Sequence, residues 1–112
     1  MLFIDKNNNI KLTRGDTAVI NLTVMNEATS EPYEITDMDR VVLTVKTGTL
    51  ARSVTFQKAL RNGRFMIRPS DTETLEFGTY RYDVELTTPA GDVYTIIPPA
   101  RFEVAEEVTT ND

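Results

Sequence analysis

The chain contains no histidine, no cysteine and no tryptophan. Without histidine it lacks the side chain that most often serves as a general base near neutral pH. Without cysteine it has no thiol nucleophile and no disulfide, and the common zinc ligands are gone as well. Carboxylates alone support catalysis when two of them share a cleft and hold separated pKa values. The strand pattern described below sends most acids outward, where such tuning is hard. The sequence is therefore read as non-enzymatic, with no cofactor and no small-molecule substrate expected. No apolar run approaches the ~20 residues of a membrane-spanning helix, so no membrane partner is expected. The opening residues Met1-Leu2-Phe3-Ile4-Asp5 are too short and wrongly charged for a signal peptide, and the chain is expected to be cytoplasmic at synthesis.

Acidic residues are missing from one long stretch. From Arg40 to Ser70 there is no Asp or Glu, while Arg40, Lys46, Arg52, Lys58, Arg61, Arg64 and Arg68 all fall there. The stretch carries +7 and the remainder −12, which gives the net charge of −5. A pI near 4.7 argues against a dedicated nucleic-acid partner. An uneven distribution of charge says little about fold but much about assembly.

What the chain has in abundance is alternation. Ala18, Ile20, Leu22 and Val24 form one period-2 series, and Val41, Leu43 and Val45 another. Val54 with Phe56, Phe65 with Ile67, and Tyr80 through Leu86 continue it, with shorter strands expected at 10–12, 93–97 and 101–104. Such runs predict strands with one buried and one wet face. Turn chemistry separates them, most plainly at Asn62-Gly63, where both residues tolerate positive φ. Pro98-Pro99 lacks two ladder donors and predicts a break or bulge in an edge strand. Ser70 and Glu73 have capping-box spacing, which predicts one short helical turn near residues 70–76. At 112 residues, one domain spanning 1–105 is expected, with a fraying tail at 106–112. The fold class is all-β: a single antiparallel β-sandwich of about seven to nine strands, of immunoglobulin-like type.

Glu76-Phe77-Gly78-Thr79-Tyr80-Arg81-Tyr82 supports that type. Immunoglobulin-type domains often place an acidic residue, a small residue and then a tyrosine two positions before a core cysteine. Tyr80 occupies the tyrosine position and Tyr82 the cysteine position. A tyrosine there packs its ring inward and donates its hydroxyl to upstream backbone. Gly78 allows the sharp entry into the strand. With no tryptophan or disulfide in the core, Tyr82, Phe65, Phe56 and Leu43 are expected to fill it.

Several motifs invite functional readings. Arg14-Gly15-Asp16 matches an adhesive tripeptide but also suits a plain strand-to-strand turn. Asp37, Asp39, Asp71 and Glu73 are oxygen donors of the kind calcium needs, though acids near turns usually cap backbone, and no metal site is assigned. Tyr33, Tyr94 and Phe77 are candidates for an aromatic platform for sugar. For the acid-free stretch, the strand pattern turns Lys46, Arg64 and Arg68 outward and puts Arg61 in a hairpin loop. These four are the expected basic docking face. Asp83, Glu85, Glu103 and Glu106 are the expected acidic face. Basic and acidic poles on one molecule suit head-to-tail contact.

Two longer segments extend the reading. Ile10-Lys11-Leu12-Thr13-Arg14-Gly15-Asp16-Thr17 resembles the opening of the N-terminal Ig-like domain of phage baseplate upper proteins and related small phage or prophage structural proteins. Gly78 through Leu86, then Gly91, Thr95-Ile96 and Phe102-Glu103-Val104, resemble the later strands of the same group. The resemblance implies a structural or assembly module of a phage or prophage particle, tail or baseplate, found in the virion. Its implied partners are other particle proteins or copies of itself. The competing expectation is a carbohydrate-binding surface module, with or without calcium assistance.

Overall fold

A computed structural model describes residues 1–108 and shows an all-β, sandwich-like fold. The strands are β1 (Leu2–Ile4), β2 (Ile10–Thr13), β3 (Ala18–Asn21), β4 (Met25–Asn26), β5 (Glu31–Pro32), β6 (Arg40–Lys46) and β7 (Phe56–Ala59). They are followed by β8 (Arg64–Ile67), helix α1 (Pro69–Thr72), β9 (Gly78–Thr87) and β10 (Val93–Ala105). Six strands form one sheet in the order β1-β2-β10-β9-β6-β7. β3 and β8 pair as the facing layer, and β4–β5 is a separate small hairpin.

Alternation drives this arrangement. Val41, Leu43 and Val45 of β6 and Tyr80, Tyr82, Val84 and Leu86 of β9 are buried. They meet Ala18, Ile20, Phe65 and Ile67 from the smaller sheet. Phe102 is fully buried, with edge-to-face contacts to Phe56 at 5.7 Å and Tyr82 at 6.2 Å. Each such ring removes apolar area worth about 2–3 kcal/mol from water, and edge-to-face pairing adds about 0.5–1.5 kcal/mol. This cluster, with Leu43 and Phe65, occupies the core that lacks tryptophan and disulfide.

Four details differ from the sequence reading. The sheet is not wholly antiparallel, because β2 lies parallel to β10 with Ile10 opposite Phe102. No hairpin links these two strands, so nothing forces them to run in opposite directions. The expected strand through Val24 ends at Asn21: the Leu22 N–H makes a last in-register bond to the Gly63 carbonyl at 3.0 Å, where the paired strand turns away, and the Val24 carbonyl accepts instead from Tyr33 at 2.7 Å. The expected strands at 93–97 and 101–104 are one strand, β10, with register shifts on both sides of Ile97. Pro98-Pro99 sits in the second shift, along the part of β10 that only β9 flanks. The helical turn is capped by Asp71 rather than by Ser70 and Glu73: its carboxylate accepts the Arg68 N–H at 2.7 Å, and Arg68 is the N-cap before Pro69.

Two tyrosines of β9 anchor neighbouring loops. The Tyr80 hydroxyl donates to the Glu76 carbonyl at 2.9 Å, the upstream backbone bond the motif calls for. The Tyr82 hydroxyl donates to the Asn8 carbonyl at 2.5 Å, in the loop joining β1 to β2. Burial, with the Asp5 carboxylate as a lesser cause, pushes the Tyr82 phenol up to about 12. Asp5 organises that loop by accepting N–H bonds from Asn7 and Asn9 at 2.9 Å each. The Asn9 backbone bond, then its side-chain amide, holds the Asp5 carboxyl below its ordinary value.

Of the expected tail, residues 109–112 lie outside the described residues. Glu107, at its near end, is pinned to Arg14 at 2.8 Å. Among the described residues no helix is long and apolar enough to cross a membrane.

Candidate functional site

The acid-free stretch does not make one basic face. The chain passes from the large sheet to the small one at the Asn62-Gly63 turn, where φ is +53° and +77°. Two opposed backbone bonds between Arg61 and Arg64, of 2.9 and 3.1 Å, close that turn. Arg64, Met66 and Arg68 therefore face outward from the small sheet, next to exposed Val19. Arg61 belongs to the same region. Lys46 does not join them. It lies on β6 opposite Arg81, on the outer side of the six-stranded sheet, across the sandwich from Arg64.

The acidic set is also divided. Asp83 and Glu85 stand on that same outer side, opposite Thr44 and Val42. They share a shallow cleft of about 240 Å³ with Arg40 and Lys46, so charge there is mixed. Glu103 pairs with Lys11 across the parallel strands at 3.5 Å. Glu106 is exposed beyond the end of β10. The expected acidic face is thus three separate places. The reason is that β9 and β10 carry arginines, Arg81 and Arg101, between their acids on the outward side.

Lys58 is the exception within the stretch. It shares the core-facing side of β7 with Phe56 and reaches Asp71 at 2.7 Å, both side chains largely covered. Among the described residues it is the one base of the seven in an ion pair; Arg61, Arg64 and Arg68 have no carboxylate within 4.0 Å. Their charge is free to meet a partner.

The Arg14-Gly15-Asp16 turn is structural. The Arg14 guanidinium donates to Glu107 at 2.8 Å and to the Leu75 carbonyl at 3.1 Å, and lies 4.1 Å over the Phe77 ring. Gly15 takes φ +81°, and its N–H donates to Oγ1 of Thr72 at 2.9 Å. Asp16 accepts from the Met1 amino group. Thr72 is fully buried, and no local pattern distinguishes it in the sequence. Asp39 caps the Thr36 N–H at 3.1 Å, and Asp71 is held by Lys58. Among the described residues no three acidic side chains gather as a metal site would need.

Tyr33 and Tyr94 do come together; Phe77 does not, since it sits under Arg14. The two tyrosines line an open groove of about 870 Å³ between the 23–28 segment, Tyr33 and the start of β10. Val24, Met25, Leu86 and Ile96 supply its apolar surface. Met25 and Tyr94 are 52 % and 55 % exposed, so the groove is open. The Tyr33 hydroxyl donates to Asp39 at 3.4 Å, and partial desolvation, then Asp39, raises its pKa. The sequence carried a signal for this end that the strand pattern obscured: residues 27–39 contain five acids and no base.

No known protein family, curated protein or solved structure matches the chain.

Proposed function

We propose that the protein is a non-enzymatic structural module that works by protein–protein docking, and that the particle it serves is a phage or prophage tail or baseplate. The observation that carries the docking reading is the outer side of the small sheet. There Arg64 and Arg68 flank Met66, with Val19 exposed beside them and, among the described residues, no carboxylate within 4.0 Å. An apolar centre rimmed by unpaired charge of one sign is how a surface steers and registers an acidic partner. The particle assignment rests on the sequence resemblance, to which the Tyr80–Glu76 bond adds support for the Ig-like type. Arg61 extends the basic rim, and Lys46 acts separately on the opposite sheet.

The Tyr33–Tyr94 groove favours sugar binding as a second reading, because two exposed tyrosine rings lining one groove suit a pyranose face. It requires glycan-array binding that survives charge reversal at Arg64 and Arg68. The docking reading requires the opposite. Arg64→Glu with Arg68→Glu is expected to weaken capture of acidic particle proteins at least tenfold, measured by surface plasmon resonance at 50 mM salt. Raising salt to 500 mM is expected to have a similar effect on the unmodified protein, because exposed charges are screened within about 10 Å at 0.1 M salt. A double variant that binds as well as the parent at both salts overturns the reading.

A further inference from the structure

We infer that the Tyr33–Tyr94 groove is the receptor for the exposed Leu50 loop of a second copy of this chain. The inference rests on the assembly reading above and names a contact within it. The groove lies beside the Arg40 end of β6, since Arg40 pairs with Thr87 and the groove is lined by Leu86 and Thr88. The loop follows the Lys46 end of the same strand. Seven residues of strand put about 20 Å between them, so one molecule's loop cannot reach its own groove.

The two ends are complementary in shape and charge. The Ala51 N–H donates to the Gly48 carbonyl at 3.0 Å, and this turn holds Leu50 out with 94 % of its surface exposed. Arg52 follows it in a run, residues 40 to 70, that holds no acid; Lys46 precedes it and lies beside Asp83 in the cleft that Gly48 and Thr49 also line. At the groove, Glu27 lines the wall, and Glu31, Glu34, Asp37 and Asp39 follow in a segment without a base. An apolar anchor with an adjacent cation thus faces an apolar groove with adjacent carboxylates. Burying a leucine side chain contributes about 1.5–3 kcal/mol, and the opposed charges fix orientation.

The contact is head-to-tail, so each copy keeps one free groove and one free loop. It is also weak. The molecule measures 46 × 26 × 25 Å, and its end offers on the order of 500 Å² per copy, short of the roughly 800 Å² per partner of a stable interface. Association is therefore expected at high local concentration, such as a particle under assembly provides.

The test uses two variants of the full chain, Leu50→Asp for the loop and Tyr94→Asp for the groove, with Met25→Asp as a second groove variant. Leu50 and Tyr94 are exposed, and circular dichroism checks that each variant folds. Sedimentation equilibrium at millimolar protein and 50 mM salt is expected to show a mass series for the parent and an association constant at least tenfold lower for each variant. Mixing Leu50→Asp with Tyr94→Asp is expected to restore association, but only to a one-to-one pair, because one intact loop and one intact groove remain. Parent-like association of Leu50→Asp that still weakens with salt overturns this contact and leaves the docking reading standing. A parent that stays monomeric throughout also overturns the contact, while the Arg64/Arg68 experiment still decides the broader reading.

Discussion

At the scale of single residues, the two tyrosines of β9 show what sequence can and cannot convey. The Tyr80 bond was legible because both partners lie in one short motif, four residues apart. The Tyr82 bond was not, because Asn8 is 74 residues away and an asparagine in a loop carries no mark of its role. Tyr82 also sets an alkaline limit. Its phenol is pushed up to about 12 in the fold, against 10.0 for a free tyrosine. Both states are protonated below about pH 10, where the stabilisation is whole. Between about 10 and 12 the unfolded chain ionises first, so stability falls as pH rises. Thermal melts from pH 9 to 12 are expected to show this decline, and Tyr82→Phe to show a shallower one from a lower starting point. Parallel declines in the two proteins would remove Tyr82 as the cause. Arg14 illustrates the opposite failure: a tripeptide familiar from adhesion is consumed by Glu107, Leu75 and Phe77, none of which adjoins it in sequence.

Among the elements, those with long alternation were plain from sequence, as β6, β8 and β9 show. The Asn62-Gly63 turn was equally plain, since two adjacent residues that accept positive φ leave few other options. What that turn accomplishes was not plain. It carries the chain between layers, and the pattern of apolar residues is the same whichever sheet a strand joins. Gly63→Ala is expected to destabilise the protein by about 1 kcal/mol, because the backbone there sits at φ +77° with open space around the position. Urea unfolding reads this directly as a lower midpoint with an unchanged slope. β1 went unseen because three residues give no periodicity, and the β4–β5 hairpin because two-residue strands give none at all. The Ser70–Glu73 box failed for a different reason. Asp71 meets the same spacing from Arg68, and Lys58 reinforces its position from a neighbouring strand.

For the whole molecule, net charge of each segment was readable but its direction in space was not. Arg64 and Lys46 lie in one acid-free run and end on opposite sides of the sandwich. The acids from Glu27 to Asp39 gather beside the groove, while Asp16 lies at the other end of the sheet against Met1. The parallel pairing of β2 with β10 bears on how the chain comes to be folded. Ile10 pairs with Phe102, which lies ninety-two positions further along the chain. On a ribosome adding about 5–20 residues per second, β2 waits on the order of 5–20 s for its partner to be made. Through that interval its unpaired edge and the apolar side chains Ile10 and Leu12 stay open to other chains. The step that closes the sheet is thus also the one in which newly made copies compete with one another, and slow synthesis or high expression would tilt it toward aggregation.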